Sequence, residues 1–412
     1  MITNEVDIYE DLRKQVLNYV DENRLDPDTD EVLIDQAIFE IVQSHNDRSD
    51  VLNDNFQVNR DDTIERLKKS IYGYGPMHEI LEREDIEEIF IEGSRVSYID
   101  LSGYLKGLSI PTTEAENKHI VQRLLSNTDR TLTTKFPLVQ ARVLNGQARL
   151  TASIEPISDS LSATIRKYVV KNITLDDLVK RNALTEEACV LLKSLMKMRS
   201  RILISGEPGA GKTTLLSALL LASPPQQCIR CCEEIREIAV DFTHGGYYEV
   251  RPASSDGSGE ITLRDLVKFT LAMRPDRIVC GEVRGAESFE LSRAINAGCG
   301  FACTVHANNA ADGLEALVNA ALMAGENISE SIMRNIFSSA IDIVIHVDRQ
   351  ESSGSILRGI TEIIAVEPSI GNGFTTTTLF QRSRLEDELK VVGSIPSGLK
   401  ERIDKVQGVL HE

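Results

Sequence analysis

Nine consecutive residues, Gly206-Glu207-Pro208-Gly209-Ala210-Gly211-Lys212-Thr213-Thr214, have the types and the spacing that handle phosphate. The glycines allow the backbone to curl and to turn its N–H groups toward phosphate oxygens. The apolar run Ile202-Leu203-Ile204 precedes the loop and Leu215–Leu221 follows it, which sets it between a strand and a helix. A helix beginning near Lys212 adds the positive end of its dipole to the same spot. Lys212 is then expected to reach the β- and γ-phosphates, and the Thr213 hydroxyl to ligate Mg2+. A glycine-rich turn with an incidental lysine accounts for the glycines but not for the complete pattern in this context. The sequence therefore implies a site for ATP with Mg2+.

Binding a triphosphate is not hydrolysing it, and hydrolysis needs acids near the metal and the attacking water. Ile278-Val279-Cys280-Gly281-Glu282 is an apolar strand that delivers a carboxylate at its C-terminal end, the edge of an open α/β sheet where ligands bind. Glu282 is expected to hold a metal-bound water or polarise the attacking one, and is a metal candidate together with Thr213. A second acidic cluster, Glu233-Glu234-Ile235-Arg236-Glu237, also follows a strand-like run. Glu233 is the candidate general base, with Glu234 and Glu237 as alternates. His306 ends the run Thr304-Val305-His306 and is a candidate γ-phosphate sensor. Outside such a site, each of these would read as a solvated loop acid or a packing histidine.

The elements that must position these groups alternate along the chain. Strands are expected at Cys228–Glu233, Arg277–Cys280, Phe301–His306, Asp342–Val347 and Arg358–Val366, and helices at Leu263–Met273, Ala310–Met323 and Ser331–Ser339. That alternation implies an α/β fold with a mostly parallel sheet covered on both faces. Residues 173–195 read as a helical lead-in capped by Thr174, and Ser254–Glu260 as a polar loop. Further upstream, a helix ends at Leu67–Gly75. Strands at Ile86–Ile91, Val96–Leu101, Gln140–Leu144 and Ala148–Ile154 and a helix at Asn117–Asn127 then make a small α+β domain. The division expected is 1–60, an acidic helical segment; 61–168, the α+β domain; and 169–412, the P-loop domain.

Composition narrows the function classes. The 412 residues carry a formal net charge of −18, have no Trp and only 5% aromatic residues, which counts against nucleic acid as the surface gripped. Residues 1–60 alone hold fifteen acids against five bases, most simply a solvated face. Nothing reads as a signal peptide or a membrane span, so a soluble cytoplasmic protein is expected. The seven cysteines show no disulfide framework, and Cys228-x-x-Cys231-Cys232 lacks a second pair at zinc-site spacing, so they read as small buried side chains.

The run Gly259–Gly285, followed by Thr304-Val305-His306-Ala307-Asn308, resembles the secretion and pilus-assembly traffic ATPases, and most of all the CpaF type of tight-adherence pili. The likeness extends to Tyr72–Pro76, Pro137–Arg149 and the tail Val391–Gly398, and covers nearly all of the chain from about residue 60. It implies a RecA-like ATPase domain, a homohexameric ring, and ATP hydrolysis that powers pilus assembly, secretion or conjugation. It implies partners among inner-membrane platform proteins and a cytoplasmic location at the inner face of the cell membrane; from the acidic balance and the few aromatics, no direct nucleic-acid binding is expected. On residue-by-residue matching, Glu282 takes the Walker B position, His306 that of the His box, and Glu233 that of an acidic box that usually reads Glu-Asp but here is Glu233-Glu234. Arginines that reach the phosphates from the N-terminal domain match Arg142, Arg149 and Arg166. The tetracysteine element of some type II secretion relatives is absent as a motif. A DNA translocase or helicase, or a nucleotide-binding switch that barely hydrolyses, would share the P-loop and is the competing reading.

Overall fold

The computed structural model describes residues 2–27, 29–52, 58–100, 103–168, 173–238, 240–253, 258–296, 298–325, 327–352, 355–368 and 373–408. The chain forms two compact units, Met1–Val169 and Val170–Glu412. Most of the expected Ser254–Glu260 loop lies outside the described residues.

The first unit begins with three helices, α1 (Ile2–Glu22), α2 (Glu31–Leu52) and α3 (Arg60–Tyr72). Their apolar faces share one small core that includes Leu12, Val16, Ile34, Ile38, Leu67 and Ile71, and most of the described acids are left to solvent, while Glu10 pairs with Arg13. Asn59 caps α3 by accepting from the amides of Asp61 and Asp62. Helices α4 (His78–Glu82) and α5 (Glu114–Leu125) accompany a sheet of β1 (Ile86–Glu92), β2 (Arg95–Asp100), β3 (Leu105–Gly107), β4 (Leu138–Val143), β5 (Ala148–Ser153) and β6 (Ser162–Lys167). Strand order is β3-β2-β1-β6-β5-β4, antiparallel throughout. The buried Tyr9 hydroxyl donates to Glu116 Oε1 at 2.7 Å and so ties α1 to α5.

The second unit opens with α6 (Leu175–Lys180) and α7 (Glu186–Lys197), two helices where the sequence reads as one. The break falls at Asn182, which takes a left-handed φ of 55° that a helix interior does not tolerate. Thr174 does cap α6, in a capping box with Asp177. Strands β7 (Arg201–Ser205), β8 (Ile229–Glu233), β9 (Gly245–Glu249), β10 (Arg277–Cys280), β11 (Gly300–Val305), β12 (Ile343–Ser352), β13 (Ser355–Glu367), β14 (Thr375–Gln381) and β15 (Lys390–Val391) make one sheet. Its order is β15-β14-β13-β12-β7-β11-β10-β8-β9. From β9 to β12 every pairing is parallel, and β12 to β15 add an antiparallel extension.

Between the strands run α8 (Lys212–Leu221), α9 (Leu263–Leu271), α10 (Glu287–Asn296), α11 (Ala310–Leu322) and α12 (Glu330–Ala340), with α13 (Ser397–Gly408) at the end. Alternate residues of β7 enter separate cores on the two faces, Ile202 and Ile204 on one side and Leu203 on the other. Continuous apolar strands are what burial of both faces demands. The seven cysteines are unpaired, and all but Cys228 are buried. Cys232, Cys280 and Cys303 stand in register on β8, β10 and β11. Among the described residues, no group of three or more His, Cys, Asp or Glu is arranged to hold a metal ion, and no helix is long and apolar enough to cross a membrane.

Candidate active site

Parallel pairing brings the C-terminal ends of β7, β8, β10 and β11 to one edge, and each carries part of the site. The phosphate loop follows β7. Gly206 at its root packs so close to β12 that a Cβ there would lie 2.3 Å from the Val347 carbonyl oxygen, so no other residue fits. One residue earlier, Ser205 Oγ shares a 2.9 Å hydrogen bond with Nδ1 of the buried His346 on β12. The loop thus leaves the sheet from a fixed point. Lys212, buried at the start of α8, donates from Nζ to the carbonyls of Gly206 at 2.9 Å and Glu207 at 3.0 Å. Its side chain therefore lies back across the glycine loop.

Lys212, His306 and Glu282 form a line. Lys212 Nζ donates to His306 Nδ1 at 3.1 Å, and His306 Nε2 faces Glu282 Oε1 at 2.7 Å. Because Lys212 can only donate, Nδ1 is the accepting ring nitrogen and Nε2 is the one turned to the carboxylate. Arg284 closes on the same carboxylate with two bonds, Nε to Oε1 at 2.6 Å and Nη2 to Oε2 at 2.9 Å. Burial pushes the Glu282 carboxyl up, but Arg284, His306 and Lys212 together outweigh it and hold the group below the usual carboxylate range. Glu282 keeps its charge. Arg284 also reaches Glu234, Nη1 to Oε2 at 3.5 Å.

Glu233 ends β8, the strand beside β10, and its surroundings differ. Only 4% of it is exposed, and its Oε1 accepts the backbone amides of Glu237 at 3.1 Å and Ile238 at 3.2 Å. Burial pushes this carboxyl up to about 7 in spite of those two bonds. Space for it comes from Gly281, where a Cβ would lie 2.8 Å from Glu233 Cγ. The bend that Glu233 holds carries Glu237 back over the phosphate loop, and Thr213 Oγ1 donates to Glu237 Oε2 at 3.3 Å.

Of the residues singled out from sequence, Lys212, His306 and Glu282 are joined directly, and Glu233 lies on the neighbouring strand end. Thr213 meets Glu237, which the sequence offered only as an alternate to Glu233. Pro208, Ala210 and Thr214 complete the loop and the first turn of α8. Arg142, Arg149 and Arg166 belong to the first unit and form one row: Arg142 on β4 faces Arg149 on β5, which faces Arg166 on β6. Arg142 Nε donates to the Gly146 carbonyl at 3.1 Å, and Arg166 lies 3.8 Å from Glu88. Sequence reasoning missed Arg284, whose spacing two residues beyond Glu282 in a loop was the available signal, and His346, which nothing in its neighbourhood marks.

Beside the loop, within the second unit, lies a cavity of about 870 Å3 bounded by Ala210, Gly211, Thr214, Arg358, Asn182 and Leu389. Its size suits a small organic ligand.

The most similar relatives include a Mycobacterium tuberculosis protein named for conjugal transfer, 30% identical over 315 residues that span 74% of this chain and 88% of the relative. The type IV secretion system protein PtlH of Bordetella pertussis is 26% identical over 312 residues, 68% of this chain and 90% of that protein. The X-ray structure of the ATPase DotB from Legionella pneumophila shares the fold at a TM-score of 0.51 and 17% identity, covering 70% of this chain and 79% of DotB. The model of the family described as type II/IV secretion system protein matches residues 113–351, more than half of the sequence, and the chain belongs to that family.

Proposed function

We propose that the chain is a Mg2+-dependent ATPase that hydrolyses ATP to ADP and phosphate and acts as the motor of a secretion, conjugation or pilus-assembly machine. The observation that carries this reading is the hydrogen-bonded line Lys212–His306–Glu282 at a phosphate loop whose Thr213 is met by Glu237. The second unit is assigned a RecA-like P-loop fold on its run of parallel strands, with the phosphate loop after β7 and an acid after β10.

Each residue has a role that its surroundings suit. Loop amides and Lys212 bind the β- and γ-phosphates. Thr213 and Glu282 would hold Mg2+, which neutralises phosphate charge when bound. Glu282, kept ionised, suits that position. Glu233, with a carboxyl near 7, is matched to accept a proton from the attacking water at neutral pH. Phosphate at Lys212 Nζ competes with His306 for a donor, so His306 registers occupancy and passes it to Glu282. The arginine row of the first unit is assigned the charge-stabilising role in turnover, for which the planar guanidinium is suited.

The relatives named for conjugal transfer and type IV secretion support the class of machine; a homohexamer working with inner-membrane platform proteins at the cytoplasmic face of the membrane is proposed on the sequence resemblance. Assignment to the CpaF type rests on the sequence resemblance alone. The test is turnover of the full chain with and without Mg2+ and single-stranded DNA, alongside sedimentation with a non-hydrolysable ATP analogue. We expect Mg2+-dependent phosphate release, indifference to DNA, and hexamers. Binding without turnover in any state would make the protein a nucleotide switch, and strong stimulation by DNA would make it a translocase.

A further inference from the structure

The β12–β13 hairpin outruns the sheet that carries it. β7 pairs with β12 only from Ile343 to His346, while β12 and β13 stay paired as far as Ser352 and Ser355. Because β12 runs parallel to β7, the overhang projects past the strand ends on the side where β7 gives way to the phosphate loop. In that overhang Arg349 and Arg358 stand directly opposite one another, so both side chains leave the same face. Both arrive at Gly209. Arg358 Nε donates to its carbonyl at 3.0 Å, and a Cβ built there would lie 3.8 Å from Arg349 Nη1.

The hairpin is well anchored. Buried Arg382 donates to the carbonyls of Ile360 at 2.6 Å, Ala183 at 2.9 Å and Asn182 at 3.0 Å, and the Ser205–His346 bond fixes β12 at the root of the loop. A pair of like charges directly opposite across an antiparallel ladder is unfavourable. The ion pair from Arg349 to Glu351 is long, at 4.0 Å. An anion placed between the guanidiniums and the loop amides turns that repulsion into attraction.

We propose that Arg349 and Arg358 are positioning residues that form a clamp on the phosphate loop, supplied by the same unit. The clamp draws the Gly209 carbonyl outward, which leaves the loop amides facing inward, and its charge favours the loop occupied by a nucleoside di- or triphosphate. This rests on the phosphate-binding reading of Lys212. The test compares the full-length chain with Arg349→Ala, Arg358→Gln and Lys212→Ala, measuring affinity for ADP, competition by inorganic tripolyphosphate, salt dependence, and KM for ATP. Thermal unfolding reports whether each variant is folded.

Each arginine variant should bind ADP and tripolyphosphate roughly tenfold more weakly, the scale of a hydrogen bond to a charged group. Its salt dependence should be shallower, and KM should rise more than kcat falls. Affinities and KM within twofold of the parent in both arginine variants would overturn the clamp. So would weaker ADP binding with unchanged tripolyphosphate competition, since the arginines would then act on the nucleoside. Should Lys212→Ala abolish binding while the arginine variants do not weaken it, the clamp alone falls. Should Lys212→Ala also bind normally, the phosphate-binding reading falls with it.

Discussion

Two carboxylates stand at the C-terminal ends of neighbouring parallel strands, Glu233 as the last residue of β8 and Glu282 two residues beyond β10, yet they are treated in opposite ways. Glu282 is gripped by Arg284 and faced by His306, which keep it ionised below the usual range. Glu233 is buried against loop amides and held near 7. Environments that push two acids apart divide the labour between them. The acid kept ionised at neutral pH suits the metal and phosphate side, and the acid with the exchangeable proton suits the base. One sheet edge makes both, because β10 opens into a loop that supplies an arginine while β8 turns back over its own acid.

The comparison can be broken at its base by Lys212→Ala. We expect loss of nucleotide binding or turnover altogether, and normal hydrolysis would remove the reason to read either acid as catalytic. Next in size is Glu282→Gln, which keeps the shape and deletes the charge. Turnover should fall by about 10²–10⁴-fold, the range over which acid–base assistance acts, with ATP still bound. Turnover within a few fold of the parent would make Glu282 structural. Arg284→Ala should have a smaller effect of the same kind, since His306 and Lys212 still favour the ionised form.

Stability sharpens the contrast because the two acids have opposite signs. The Glu233 carboxyl is raised from 4.5 to about 7, so the folded chain holds its proton more tightly than the unfolded one. That contribution is full below about pH 4.5 and is lost as pH rises through about 7, on the order of 3 kcal/mol in all. Glu282 is lowered, so its contribution is present above the ordinary carboxylate range and is lost on acidification. Urea unfolding from pH 4 to 8 should show a downward slope in the parent that Glu233→Gln flattens and Glu282→Gln leaves in place. Parallel slopes in the parent and Glu233→Gln would contradict the assignment.

How much of this the sequence carried follows from where each residue sits. The phosphate loop, Glu282 and His306 each follow an apolar run, and a run that ends at a polar residue marks a strand end without further information. The burial of Glu233 was not legible, because an acidic pair in a loop reads as solvated until the path of residues 234–238 is known. Nor was the link between Thr213 and Glu237, which depends on that path. Helix α10 escaped notice because Ser288, Glu290 and Ser292 are buried along it and blur its apolar stripe. The pairing of Arg349 with Arg358 depends on hairpin register, which a Ser/Gly-rich turn does not specify.

The division between the two acids is tested most directly by the pH dependence of kcat/KM for ATP, which reports the free enzyme's groups. The parent should gain activity as pH rises through about 7, where the Glu233 proton is lost, and Glu233→Gln should be slower and lack that rise. An inflection near pH 7 that survives unchanged in Glu233→Gln would contradict the account, because the titrating base would then be another group.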